Sequence, residues 1–142
     1  MTRTLLASAA VFLGLAAAFA GAPRPLDVDA LAQQVAREED HVTATELAQW
    51  IKDRKHGLRI INVGRASGRL PREELIPIEK LTRTHFAPTE TIVLVSDGGA
   101  HAAQAWVFLR ALGHRNVYFL RGGTAEWNAD ETVTRYFARG QC

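Results

Sequence analysis

Apolar residues along the chain fall into short continuous runs separated by polar, glycine-marked turns. Residues 58–63, LRIINV, form a β-branched run between Gly57 and Gly64, the pattern of a strand buried on both faces. Residues 91–96, TIVLVS, and 116–120, NVYFL, repeat it, and Gly122-Gly123 closes the last. Between these runs the spacing becomes helical. In AHAAQAWVFLRALG, Ala102, Ala105, Leu109 and Leu112 fall in register, and Gly113 supplies a stop. HVTATELAQWIKDRK opens with Thr43-x-x-Glu46, a capping box, then sets Leu47, Trp50 and Ile51 on one face, with Gly57 as the expected end. One final helical stretch is expected through TAEWNADETVTRYFAR. Upstream, GAPRPLDVD reads as a linker. Asp27 is placed to cap a short helix through VDALAQQVAREED, with Leu31, Ala32 and Val35 on the face that packs against the domain.

Strands alternating with helices imply an α/β fold with a mostly parallel central sheet and helices on both faces. Ligands in such sheets bind beyond the carboxyl ends of the strands. Three turns then converge on one rim: the segment from Ser96, the segment Asn62-Val63-Gly64, and Gly122-Gly123.

The first twenty residues do not belong to this pattern. MTRTLLASAAVFLGLAAAFA has a basic start at Arg3, an apolar run over residues 5–20, and the small-x-small end Ala18-Phe19-Ala20. That is the three-part form of a secretory signal, with Gly21 as the new terminus after cleavage. An uncleaved anchor is the competing reading; the Ala-rich, weakly hydrophobic run favours cleavage. The expected organisation is a signal peptide over 1–20, a linker and short helix over 21–40, and a domain over 41–142. The expected location is the periplasm or the exterior of a bacterium, with no stable membrane span after cleavage.

Charge changes the picture little. Seventeen Lys and Arg against fifteen Asp and Glu give a formal net charge of +2, and the basic residues are scattered, which argues against a nucleic-acid partner. Cys142 is the only cysteine, so the chain has no internal disulfide and no Cys-based metal site. The protein is expected to be a monomer, or a dimer through Cys142, without metal or cofactor. His41, His56, His85 and His114 lack metal-ligand spacing. Trp50, Trp106 and Trp127 read as core or edge-of-core aromatics.

Four segments, in order and at compatible spacing, resemble the rhodanese-like domain over about residues 41 to 130. LRALGHRNVYFLRGGTAEW carries the family's strand entry and its ending, with Gly122, Gly123 and Trp127 in place. GRLPREELIPIEKL aligns Gly68, Pro71, Ile76 and Pro77; IINVG matches a strand the family usually ends D-V-R; TIVLVSDGGAHAA matches the strand and active loop. The resemblance implies a three-layer α/β/α fold and an anion-holding loop of Ser96, Asp97, Gly98, Gly99, Ala100 and His101, rimmed by Asn62, Gly64 and Arg69. It also exposes departures. Ser96 stands where the family places its catalytic Cys, and His101 where many active members carry Arg. Asn62 and Gly64 replace the Asp and Arg of D-V-R, and Arg69 and Arg72 replace a His and a Gly.

Rhodanese chemistry holds a sulfane sulfur as a persulfide on a thiolate that the loop stabilises. A serine oxygen forms no S–S bond and gives up its proton far less readily. The resemblance therefore implies a non-catalytic domain, a binding or scaffold module for a protein partner that the sequence does not identify. Two enzymatic alternatives stay open: sulfur transfer through another thiol, with Cys142 the sole candidate, and hydrolysis by Ser96 with His101 as base. Ser96 as a small polar cap is the favoured reading. The loop's glycines and helix terminus permit anion binding; Asp97 opposes it by charge and by competing for the loop N–H groups, so a self-satisfied loop is expected. Asn62 is expected to hydrogen-bond neighbouring backbone. Arg65, Arg69 and Arg72 are candidates to line the rim, although a solvated face explains them as well.

Overall fold

Successive side chains of a strand point to opposite faces of its sheet, so a run of apolar residues needs helices above and below. The computed structural model describes residues 27–37, 40–64 and 70–138 and meets this need. Five strands, β1 (His41–Val42), β2 (Leu58–Asn62), β3 (Glu73–Leu75), β4 (Thr91–Val95) and β5 (Val117–Leu120), form one sheet in the order β1-β5-β4-β2-β3. Every pairing is parallel. The helices are α1 (Val28–Ala36), α2 (Ala44–Lys52), α3 (Ile78–Leu81), α4 (Ala100–Ala111), α5 (Gly123–Ala129) and α6 (Glu131–Ala138). The expected leader over 1–20, together with Arg65, Arg69 and Cys142, lies outside the described residues. Among the described residues no helix is long and apolar enough to cross a membrane.

All five positions of β4 are buried, and its four apolar residues divide between two cores. Ile92 and Leu94 join Ile61, Phe119, Trp106 and Leu109 on the side covered by α1, α3 and α4. Val93 and Val95 join Ile60, Leu120, Leu47, Trp127 and Val133 on the side covered by α2, α5 and α6. Trp106 is fully buried and its indole N–H donates to the Val117 carbonyl at 3.0 Å, a partner a buried indole requires. Trp50 sits at the core's edge, edge-on to Tyr118.

The expected caps form. Asp27 accepts the Ala30 N–H at 2.9 Å, and Thr43 and Glu46 make the reciprocal capping box. Gly113, at φ 93°, ends α4; the N–H of His114 reaches the Leu109 carbonyl and that of Gly113 the Arg110 carbonyl, the paired bonds of a Schellman motif.

Several expectations are corrected. The helix through residues 43–57 stops at Lys52, not at Gly57, because the chain turns at Arg54 in the left-handed region, φ 50°. There the Lys55 N–H bonds the Trp50 carbonyl and the Arg54 N–H bonds Ile51: a Schellman turn with Arg where Gly is usual. The first helix ends at Ala36. The last helical stretch is two helices, because Asp130 is extended and its carboxylate accepts the N–H groups of Thr132 and Val133, starting α6 afresh. Leu112, expected on the buried face of α4, is exposed, since it falls on the turn that ends the helix.

Strands β1 and β3 lie outside the sequence expectation. β3 is a three-residue edge strand held to β2 by side chains as well as backbone. The guanidinium of Arg59 grips Glu74 through Nε at 2.9 Å and Nη2 at 2.7 Å, a bidentate pair that holds the Glu74 carboxyl below its ordinary pKa.

Candidate functional site

Parallel strands bring their carboxyl ends to one edge, and the predicted turns meet there. Ser96 follows β4 directly, Asn62 ends β2, and Gly122-Gly123 follows β5. These strands are neighbours, with Asn62 opposite Val95 and Leu94 opposite Phe119.

The loop from Ser96 to His101 is fixed from behind by the start of α5. The Thr124 N–H donates to the Ser96 carbonyl and the Ala125 N–H to the Asp97 carbonyl, both at 3.0 Å. Gly123, at φ 61°, makes this approach possible, since a Cβ there would overlap the carbonyl oxygen of Ser96. Gly99, at φ 89°, then turns the chain into α4.

Ser96 is 1% exposed. Its Oγ accepts the Ala102 N–H at 3.1 Å, satisfying one of the orphan amides at the start of α4. The N–H groups of Gly98, Gly99, Ala100 and His101 donate to no protein acceptor among the described residues. Asp97 was expected to compete for them, and it does not. Its carboxylate is exposed and hydrogen-bonds nothing among the described residues, because the backbone carbonyl rather than the side chain faces α5. His101 projects from the first turn of α4, exposed, and no hydrogen bond joins it to Ser96 Oγ.

At the rim, Asn62 is fully buried and its Oδ1 accepts the Gly64 N–H at 2.8 Å, closing the turn after β2. Its Nδ2 reaches Glu73 Oε2 at 3.4 Å. Arg69, assigned to the same rim, lies outside the described residues. Arg72, considered with it, precedes β3 and therefore sits toward the opposite edge of the sheet. Two residues of the site had no distinct signal in the sequence. Thr124 is recognisable only as the residue after Gly122-Gly123 at a helix start. Glu73 lies in a polar segment with no strand periodicity. Among the described residues, no three His, Cys, Asp or Glu side chains are grouped to hold a metal ion.

Chemically, the arrangement offers amides and a helix N-terminus facing a buried hydroxyl, and among the described residues neither a thiol nor a hydrogen-bonded base stands beside it.

The model of the rhodanese-like domain matches residues 36–130. No curated protein matches the chain. Among solved structures, the rhodanese-like domain of an Anabaena protein is 25% identical with a TM-score of 0.58, covering 66% of this chain and 76% of that one. A Rhodopseudomonas palustris protein described as a possible tyrosine phosphatase is 16% identical with a TM-score of 0.60, covering 77% and 96%. A NAD-dependent persulfide reductase from A. fulgidus is 21% identical with a TM-score of 0.53, covering 70% of this chain and 18% of that one. The match spans most of the chain, includes the loop from Ser96 to His101, and places this protein in the rhodanese-like domain family.

Proposed function

We propose that this protein is an exported, non-catalytic rhodanese-like domain that serves as a binding or scaffold module. The observation that carries the reading is the Ser96 hydroxyl, buried at the base of the loop and accepting the Ala102 N–H. In the resemblance that aligns the chain with the family, this is the position of the catalytic Cys. Sulfur transfer there requires a sulfur atom that can bond sulfur, and the oxygen of Ser96 supplies only a cap. Hydrolysis by Ser96 requires a base in hydrogen-bond contact, and His101 makes none with it. The persulfide reductase and the possible phosphatase share the fold at 21% and 16% identity, a likeness that does not carry their activities to this chain. Export rests on the three-part leader over residues 1–20.

The test combines turnover with intact mass. Protein purified from the periplasm is incubated with thiosulfate and cyanide, and thiocyanate is measured. The expected result is no thiocyanate above the protein-free blank, no added sulfur on the polypeptide, and a mass that begins at Gly21. Thiocyanate accompanied by a persulfide on Cys142 would establish sulfur transfer instead. Ester or phosphate hydrolysis abolished by Ser96→Ala would establish a serine hydrolase. Met1 retained in a membrane fraction would overturn the export.

A further inference from the structure

The edge of the sheet opposite the Ser96 loop carries a groove that the family chemistry does not use. It lies where α2 ends and where β2 and β3 begin, and α6 closes its far wall. One depression, of about 530 Å³, is lined by Ile51, Lys52, Arg54, Pro71, Arg72, Tyr136 and Phe137. A smaller one, of about 60 Å³, shares Ile51, Arg54 and Arg72 and adds Trp50, Lys55, Leu58 and Ile60. The two form one trough with an apolar floor and four cations, Lys52, Arg54, Lys55 and Arg72. Among the described residues no carboxylate lines either part. None of the four cations takes part in an ion pair among the described residues. The two lysines lie over aromatic rings, Lys55 3.9 Å from the Trp50 centroid and Lys52 5.4 Å from that of Tyr136.

Cations at the end of α2 are favoured by the helix dipole alone, and that would account for Lys52, Arg54 and Lys55. It does not account for Arg72, which comes from a separate segment. Nor does it account for the backbone. Arg54 and Arg72, at φ 50° and 58°, both adopt the left-handed conformation in which glycine is favoured. At both positions the chain presents an arginine to the same groove at a conformational cost that glycine would avoid. Such strain tends to persist where a side chain has work to do.

We propose that this trough docks an acidic segment of a partner polypeptide, its carboxylates meeting Arg54, Arg72 and the two lysines and an apolar side chain seated on Ile51 and Phe137. The charges are spread over two adjoining depressions above an apolar floor, which suits alternating acidic and apolar side chains better than one compact anion. The proposal does not depend on the chemistry at Ser96, and its test reads no turnover.

The probe is a fluorescent, Glu-rich peptide with one central Phe, compared with the same peptide carrying Gln for every Glu. Anisotropy is measured with the full mature protein, Arg54→Gly, Arg72→Gly, the double variant, and Arg83→Gln as an exposed basic control outside the groove. The expected result is saturable binding of the Glu peptide, at least tenfold weaker for the Gln peptide. Binding should be at least tenfold weaker for the double variant and within twofold of wild type for Arg83→Gln. Both glycine variants should melt no lower than wild type, which excludes unfolding as the cause of the loss. The proposal fails if the Glu peptide does not saturate, if the Gln peptide binds equally, or if Arg83→Gln weakens binding as much as the double variant. It also fails if inorganic phosphate at equal concentration displaces the peptide, which would mark a small-anion site, or if sedimentation shows the protein pairing with a second copy through this face.

Discussion

Gly123 lies against the carbonyl of Ser96 so closely that a Cβ on Gly123 would overlap the Ser96 oxygen. The contact lets the next residue, Thr124, donate its N–H to that carbonyl. The start of α5 thus sets the loop from behind, and position 123 requires glycine. Gly123→Ala adds steric overlap to a left-handed backbone, and should cost at least about 2 kcal/mol. A urea midpoint measured beside wild type checks this; an unchanged midpoint would mean the loop is not held by α5.

Ser96→Ala keeps the loop's shape but removes the oxygen that accepts the buried Ala102 N–H. Leaving a buried donor unpaired costs about 1–3 kcal/mol. Chemical denaturation should show a loss in that range. A neutral result would show that Ser96 is not a structural cap.

Ser96→Cys should fail to restore strong sulfurtransferase activity by itself. The new thiol gains the helix terminus, but Asp97 lies beside it and a nearby negative charge raises a thiol's pKa. His101 occupies the position where the resemblance to active members places an arginine, so an anionic donor would lack the bidentate guanidinium there. Each missing charge-assisted contact is worth about 1.5–3 kcal/mol, roughly tenfold to a hundredfold. Thiosulfate:cyanide turnover should therefore rise from Ser96→Cys to Ser96→Cys/Asp97→Arg/His101→Arg. Full activity in the single variant would show that only the sulfur atom was missing.

Arg54→Gly should stabilise the fold. Relief of the left-handed conformation gains about 1–2 kcal/mol, and the added freedom of the unfolded chain offsets about 0.4–1 kcal/mol. The two leave a net gain of roughly 1 kcal/mol, which should appear as a raised melting temperature.

Glu46 and Asp130 have carboxyl pKa values held below the ordinary range, first by the backbone N–H groups of Thr43 and Val133 respectively. A carboxylate with a lower pKa when folded contributes stability above its unfolded pKa and loses it as pH falls through the folded value. Stability should therefore decline below about pH 4. Asp130→Asn retains a capping oxygen without a titrating carboxyl, so its decline between pH 5 and pH 3 should be shallower in urea titrations.

Strands β2, β4 and β5 were legible in the sequence because burial on both faces demands unbroken apolar runs, and LRIINV, TIVLVS and NVYFL are such runs. The capping box at Thr43 and the stop at Gly113 were legible because their signals act within a few residues. Ser96 at a strand end followed from the same patterning. Other features depended on contacts that the hydrophobic pattern does not show. β3 is a strand because β2 offers an open edge and Arg59 grips Glu74; its own residues carry no alternation. The last helical stretch divides because Asp130 turns its carboxylate onto Thr132 and Val133, a local cap concealed within a stretch whose spacing alone suggested one helix. The anchoring of the Ser96 loop by Thr124 joins two segments that meet only because β4 and β5 are neighbours in the sheet. Local propensity and hydrophobic period thus settled which segments were helix or strand wherever both faces were buried. The edge strand, the loop's support and the basic trough were decided by tertiary structure, because each depends on groups brought together only by the order of the strands.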